Sequence, residues 1–183
     1  FVSSLQPLER KVLDGLAVVS LLLVILLALF GGMTKYFPYW RSGGIGLEQG
    51  NSSAGEFWKK EGLKGPIFSN YDIGGYLIFH LFPQEKVFVD NRPEAYPAEF
   101  FQKTYIPMQE NEAVWKDKLQ MYGFNAIVFS HTDMTPWGQQ FLMSRVRDPQ
   151  WSPVFFDSHI VIFLRQNEEN RPIIDKYRIN LKS

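Results

Sequence analysis

Residues Ser69–Tyr96 read SNYDIGGYLIFHLFPQEKVFVDNRPEAY. An apolar stretch, IGGYLIFHLF, begins directly after Asp72 and stops at Pro83, so Asp72 stands where a helix cap belongs. KVFV, from Lys86 to Val89, then reads as a short buried strand. Asp90, Asn91 and Arg92 follow it. Asp90 and Arg92 are spaced to form a local ion pair that closes a strand-to-helix turn.

The same alternation continues on both sides. Upstream, Pro66 to Ser69 is a short strand. Ser53 and Glu56 form an S-x-x-E capping box that opens a helix through Phe57 and Trp58, with Gly62 as its stop. Downstream, Pro97 opens a helix through Phe100, Phe101 and Tyr105. Asn111 caps another, with Val114, Trp115, Leu119 and Tyr122 along one side and Gly123 ending it. AIVF, from Ala126 to Phe129, is a third strand. Thr135-Pro136 opens a helix through Trp137, Phe141 and Leu142. VFFD and HIVIFLR, around Asp157-Ser158, form a closing hairpin. Strands alternating with helices predict a small three-layer α/β domain over 53–165, with a mainly parallel sheet and an antiparallel C-terminal hairpin. The tail, 166–183, is charged and is expected to be extended. Tyr177, Ile179 and Leu181 alternate there with polar residues.

Before this domain lies GLAVVSLLLVILLALFGGM, Gly15 to Met33, 19 residues without a charge. At ~1.5 Å per residue this would span roughly 29 Å, about one hydrocarbon core. Tyr36, Phe37, Tyr39 and Trp40 follow as an interfacial aromatic belt. The expected organisation is an N-terminal flank (1–11), a transmembrane helix (12–35), and then the belt with a Gly/Ser-rich linker (36–52). The adjacent Arg10 and Lys11, against Lys35 and Arg41, place the N-terminus inside. The expected location is the inner, cytoplasmic membrane, single-pass, with the C-terminal domain periplasmic or otherwise extracytoplasmic. Asn51-Ser52-Ser53 matches a glycosylation sequon. The chain begins with Phe, as a processed chain or the ordered part of a longer one would.

The charge balance, 19 basic against 19 acidic side chains, offers no basic excess for nucleic acid, and none is expected as a partner. Aromatics at 16% suit a chain that spends surface on a bilayer or on other membrane subunits. No cysteine is present, which removes disulfides and thiolate chemistry.

In an open α/β sheet, ligands bind beyond the carboxyl ends of the strands. Here the first three strands end in Ser69-Asn70-Tyr71-Asp72, Asp90-Asn91-Arg92 and Ser130-His131-Thr132-Asp133. The rim candidates are Asn70, Asp72, Asp90, Arg92, Tyr96, His131 and Asp133. His131 and Asp133 with Asp157 and His159 are of metal-binding type but lack a recognised ligand spacing, so no metal or other cofactor is assigned. Ser130-His131-Asp133 sits on one strand end without a nucleophile elbow, so no catalytic residue is assigned. His80, within an apolar helix, reads as a core histidine.

The order G-x-x-F-S-N-Y-D-x-G-G-Y-L-I (Gly65 to Ile78), then P-Q-E-K-V-F-V-D-N-R (Pro83 to Arg92), then Glu94 and Tyr96, carries a family resemblance. It resembles the extracytoplasmic C-terminal α/β domain that follows the last membrane helix of prokaryotic type C, multi-helix glycosyltransferase-like proteins using lipid-linked sugars. The form there is D-x-G-G-Y-L … D-G-R-x-E-x-Y; Asn91 replaces the Gly. More distantly, Ser69 to Tyr76 is similar to the W-W-D-Y-G element of oligosaccharyltransferase catalytic subunits, with Ser69-Asn70 in place of paired Trp. The resemblance covers about Ala54 to Arg165. It implies that the catalytic carboxylate and the lipid-phosphate site belong to membrane loops that this chain does not contain. The expected function is therefore a membrane-anchored accessory subunit of a larger complex, without catalysis of its own. The alternative is the acceptor-side domain of such a glycosyltransferase, touching a lipid-linked sugar.

Overall fold

The computed structural model describes residues 7–29 and 52–180. The chain divides into two compact units, Phe1–Asn51 and Ser52–Ser183.

The first unit holds one described helix, α1 (Pro7–Leu29). It holds the described part, 12–29, of the span expected over 12–35, and its first turns carry Glu9, Arg10, Lys11 and Asp14. Among the described residues no helix is long and apolar enough to cross a membrane. The single-pass span and the inner-membrane location inferred from it are corrected accordingly. The continuation of the apolar run over 30–33 lies outside the described residues. So do the aromatics Tyr36, Phe37, Tyr39 and Trp40, most of the linker, and Asn51 of the sequon.

The second unit is α/β. Its elements are α2 (Ser53–Glu61), β1 (Ile67–Ser69), a 3₁₀ turn (Tyr71–Ile73), α3 (Gly74–Leu81) and a second 3₁₀ turn (Pro93–Ala95). A helical stretch follows as α4 (Ala98–Phe100), a π turn (Phe101–Tyr105) and α5 (Ile106–Glu110). Then come α6 (Glu112–Tyr122), β2 (Ala126–Ser130), α7 (Pro136–Arg147), β3 (Trp151–Phe156), β4 (Ile160–Arg165) and α8 (Arg171–Tyr177).

The four strands form one sheet in the order β1-β2-β4-β3. Only β1 and β2 run parallel, with Phe68 opposite Ile127; β2–β4 and β3–β4 are antiparallel. The sheet is therefore mixed, not mainly parallel as expected. β4 lies antiparallel beside β2, and the KVFV segment adds no second parallel pair of strands. It makes a single parallel bridge, Val87 to Ile67, and does not extend into a strand. Its end is taken up elsewhere: the Val89 carbonyl accepts from the Ser69 hydroxyl at 3.5 Å, and Asp90 enters a turn.

Side chains alternate across the sheet with period two, as pleating requires. Ile67, Ala126, Val128, Ile162 and Leu164 face one core with Trp58 of α2, Leu77 and Leu81 of α3, and Ile174 of α8. Phe68, Ile127, Phe129, Val161 and Phe163 face the other, with Met108, Trp115, Leu119 and Phe141 of α5 to α7. Both faces are thus covered by helices. The second core is aromatic: Phe68 lies 5.0 to 5.4 Å from the rings of Trp115, Phe124 and Phe141.

Local capping signals succeed in part. The Asn111 side chain accepts from the Ala113 and Val114 amides, and Gly123 ends α6 at φ +64°. Thr135 caps α7. Ser53, by contrast, is inside α2, and its hydroxyl donates to Asp157 Oδ2 at 2.6 Å. Asp72 lies in the 3₁₀ turn and makes no cap bond. The tail is not wholly extended. Asn170, buried, donates to Asn125 Oδ1 and the Arg165 carbonyl, and α8 then packs Ile174 into the first core.

Candidate functional site: a cleft at the rim of the parallel pair

β1 and β2 are parallel, so their carboxyl ends meet at one rim. Asn70, completely buried, joins them. Its Oδ1 accepts from the Ser130 amide at 2.9 Å, and its Nδ2 donates to Asp133 Oδ2 at 3.4 Å. Asp133 Oδ1 accepts from the Thr135 amide at 2.8 Å, and Thr135 Oγ1 accepts from the Gly138 amide at 3.2 Å. The loop from β2 into α7 is fixed by these bonds, with the Asp133 carboxylate at the rim.

On the β1 side, the Tyr71 amide donates to the Tyr105 hydroxyl at 2.7 Å, tying the 3₁₀ turn to the helical stretch. Tyr71 and Phe101 meet edge to face at 5.6 Å, as do Phe101 and Tyr105 at 5.8 Å. Between these elements is a cleft of about 310 Å³. Its apolar walls are Tyr71, Pro93, Phe101, Tyr105, Ile106 and Trp137; its polar groups are Asp72, Asp133 and Thr135. Among the described residues the Asp72 carboxylate, which is exposed, accepts no hydrogen bond. Burial pushes the Tyr105 phenol well above its ordinary value, and the charges of Asp133 and Asp72 add to that. The Tyr71 phenol is raised as well, by desolvation first and then by Glu94, Asp72 and Asp90. A hydroxyl that stays neutral beside carboxylates can donate or accept hydrogen bonds and offers a ring face for stacking.

Of the rim residues expected from sequence, Asp72 and Asp133 line this cleft, and Asn70 holds Asp133 from beneath. Asp90, Arg92 and Tyr96 form a separate clasp. Arg92 donates from Nε to Asp90 Oδ1 at 2.8 Å and from Nη2 to Oδ2 at 2.6 Å. The Tyr96 hydroxyl accepts from the Asp90 amide and donates to Oδ2, both at 3.1 Å. The clasp meets the cleft through Pro93, next in sequence to Arg92, and through Tyr96, whose ring meets that of Phe101 edge to face at 5.8 Å. His131 turns away: it stacks on Phe156 at 4.6 Å, and its Nε2 pairs with the Asp157 carbonyl at 2.9 Å. His80 sits against Tyr76 at 4.4 Å, and burial lowers its affinity for a proton. Among the described residues no group of three or more acidic or histidine side chains could hold a metal ion.

Sequence reasoning missed Phe101, Tyr105 and Trp137 as wall residues, because aromatics on a helix read as core. The signal for Trp137 was its place in the first turn of a helix opened by Thr135-Pro136 at a strand end. No family model, curated protein or solved structure matches the chain.

Proposed function

We propose that the α/β unit is a binding component of a larger assembly, without catalysis of its own, and that its rim cleft holds a sugar-like ligand. The observation that carries this reading is the cleft itself. The aromatic residues Tyr71, Phe101, Tyr105 and Trp137 share its lining with the exposed carboxylate of Asp72, which accepts no hydrogen bond among the described residues. Its volume is at the small end of ligand sites, ~300–1,000 Å³. Stacking faces suit the C–H face of a sugar ring, and carboxylates accept its hydroxyls. The clasp of Asp90, Arg92 and Tyr96 supports a structural role for the motif that carries the glycosyltransferase resemblance, because its polar groups are engaged with one another.

The resemblance also favours the acceptor-side domain of a glycosyltransferase as a second reading, with the cleft then contacting acceptor or sugar. Both readings are tested by titrating the full chain with monosaccharides and following backbone and Trp137 indole resonances. Saturable shifts confined to the cleft are expected. Their absence for every sugar would overturn sugar binding. The mass of the gently extracted native assembly separates the readings: separate subunits support the first, a single longer polypeptide the second.

A further inference from the structure

We propose that the cleft selects an amino sugar: a ring whose apolar face stacks on the aromatic wall while its ammonium group is held by Asp72 and Asp133. This rests on the reading of the cleft as a sugar site and deepens it.

Three observations carry the inference. First, the lining holds two carboxylates and no Lys or Arg. Arg92, adjacent to Pro93 of the lining, has its guanidinium on Asp90. An anionic ligand such as a phosphate would meet repulsion with no cation to offset it. Second, the carboxylates are not equally engaged. Asp133 has Oδ1 on the Thr135 amide and Oδ2 only at 3.4 Å from Asn70, while the Asp72 carboxylate, exposed at the cleft, accepts no hydrogen bond among the described residues. Both therefore keep acceptor capacity for a donor with several N–H bonds. Third, Tyr71, Phe101 and Trp137 line the same cleft as those carboxylates. Aromatic faces attract an ammonium as well as the C–H groups next to it. Thr135, whose Oγ1 accepts from the Gly138 amide, still has its own proton to give to a ring hydroxyl.

The test compares ligands of one ring shape. The full chain is titrated at pH 7 with glucosamine, glucose, N-acetylglucosamine and ethanolamine, with resonances of the cleft as readout. Glucosamine is expected to bind about tenfold more tightly than glucose or N-acetylglucosamine, the effect of one charge-assisted hydrogen bond. The advantage should shrink as salt rises. Asp72→Asn should abolish most of it at unchanged melting temperature, since Asp72 supports no other described group. Equal binding of glucose and glucosamine would overturn the ammonium selection while leaving the sugar reading intact. Ethanolamine binding as tightly as glucosamine would overturn recognition of the ring. No binding by any sugar would overturn the underlying reading itself.

Discussion

Arg92 holds Asp90 through two parallel hydrogen bonds of 2.8 and 2.6 Å, although the Arg92 side chain is 62% exposed and that of Asp90 only 3%. The exposed partner is the free end of a clamp on a buried carboxylate. Arg92 pulls the Asp90 carboxyl below its ordinary value of 3.8 against the opposite push of burial, and the Arg92 amide and Tyr96 hydroxyl add to the pull. A depressed folded value means stability that is present above pH 3.8 and lost as pH falls through the folded value. Asp90→Asn should therefore cost about 2 kcal/mol at neutral pH, discounted for the exposed partner. Thermal melts from pH 7 down to pH 2 check this. The gap between wild type and variant should close in acid; a gap that stays constant would show that the ion pair is not its source.

The clasp also explains why Gly74 and Gly75 are not equivalent. A Cβ on Gly74 would collide with the Val89 carbonyl oxygen and the Asp90 Cα, both backbone. A Cβ on Gly75 would meet chiefly the Asn91 side-chain oxygen at 2.7 Å, which can swing aside. Gly74→Ala is expected to lose more than about 3 kcal/mol or fail to fold, and Gly75→Ala less than about 1 kcal/mol. Chemical denaturation of the two variants side by side decides it. Equal losses would mean that the segment 89–91 does not lie against α3 as described.

Asn70 and Asp72 lie two residues apart but should respond oppositely to substitution. Asn70→Ala leaves the buried Ser130 amide without its acceptor and removes the support of Asp133. A loss of about 2 kcal/mol is expected, together with weaker ligand binding. Asp72→Asn should leave the melting temperature where it is and affect binding alone. Calorimetric melts paired with a sugar titration measure both. A large melting shift for Asp72→Asn would show that its carboxylate has a structural task.

Where signals were local, the chain could be read directly. Asn111, Gly123 and Thr135 act as caps and stops because each satisfies backbone groups within a few residues. β2 and the β3–β4 hairpin follow from apolar runs and the Asp157-Ser158 turn. Lys86–Val89 has the composition of a strand, but whether it pairs is decided by Ser69 and Gly74, which are distant in sequence. The tail forms α8 because Asn170 is held by Asn125 and because Tyr177 packs edge to face on Phe57 at 5.1 Å. Neither partner is visible from residues 166–183. The cleft was half legible: Asp72 and Asp133 follow strands, so their rim position was readable. The aromatic wall was not, because Phe101, Tyr105 and Trp137 have the same periodicity as residues of the core.

Arg145 has an unusual place for a guanidinium: it is 1% exposed and sits 5.1 Å from the Trp115 ring centroid and 5.2 Å from that of Phe141. Burial lowers its affinity for a proton, while Glu112 and Asp148 act in the opposite direction. Nη1 donates to Asp148 Oδ2 at 2.7 Å and Nη2 to Glu112. Either substitution leaves Glu112 and Asp148 without their partner, but burying such a charge gains little over an apolar group of similar shape, and Ala alone leaves a void as well. Arg145→Ala is therefore expected to cost about 3 kcal/mol. Arg145→Met, which keeps the stem and the contact with both rings, should cost about 1 kcal/mol. Urea denaturation of both variants measures the difference. If Met proved as damaging as Ala, the ion pairs and not the packing over Trp115 and Phe141 would be what holds α7 to α6.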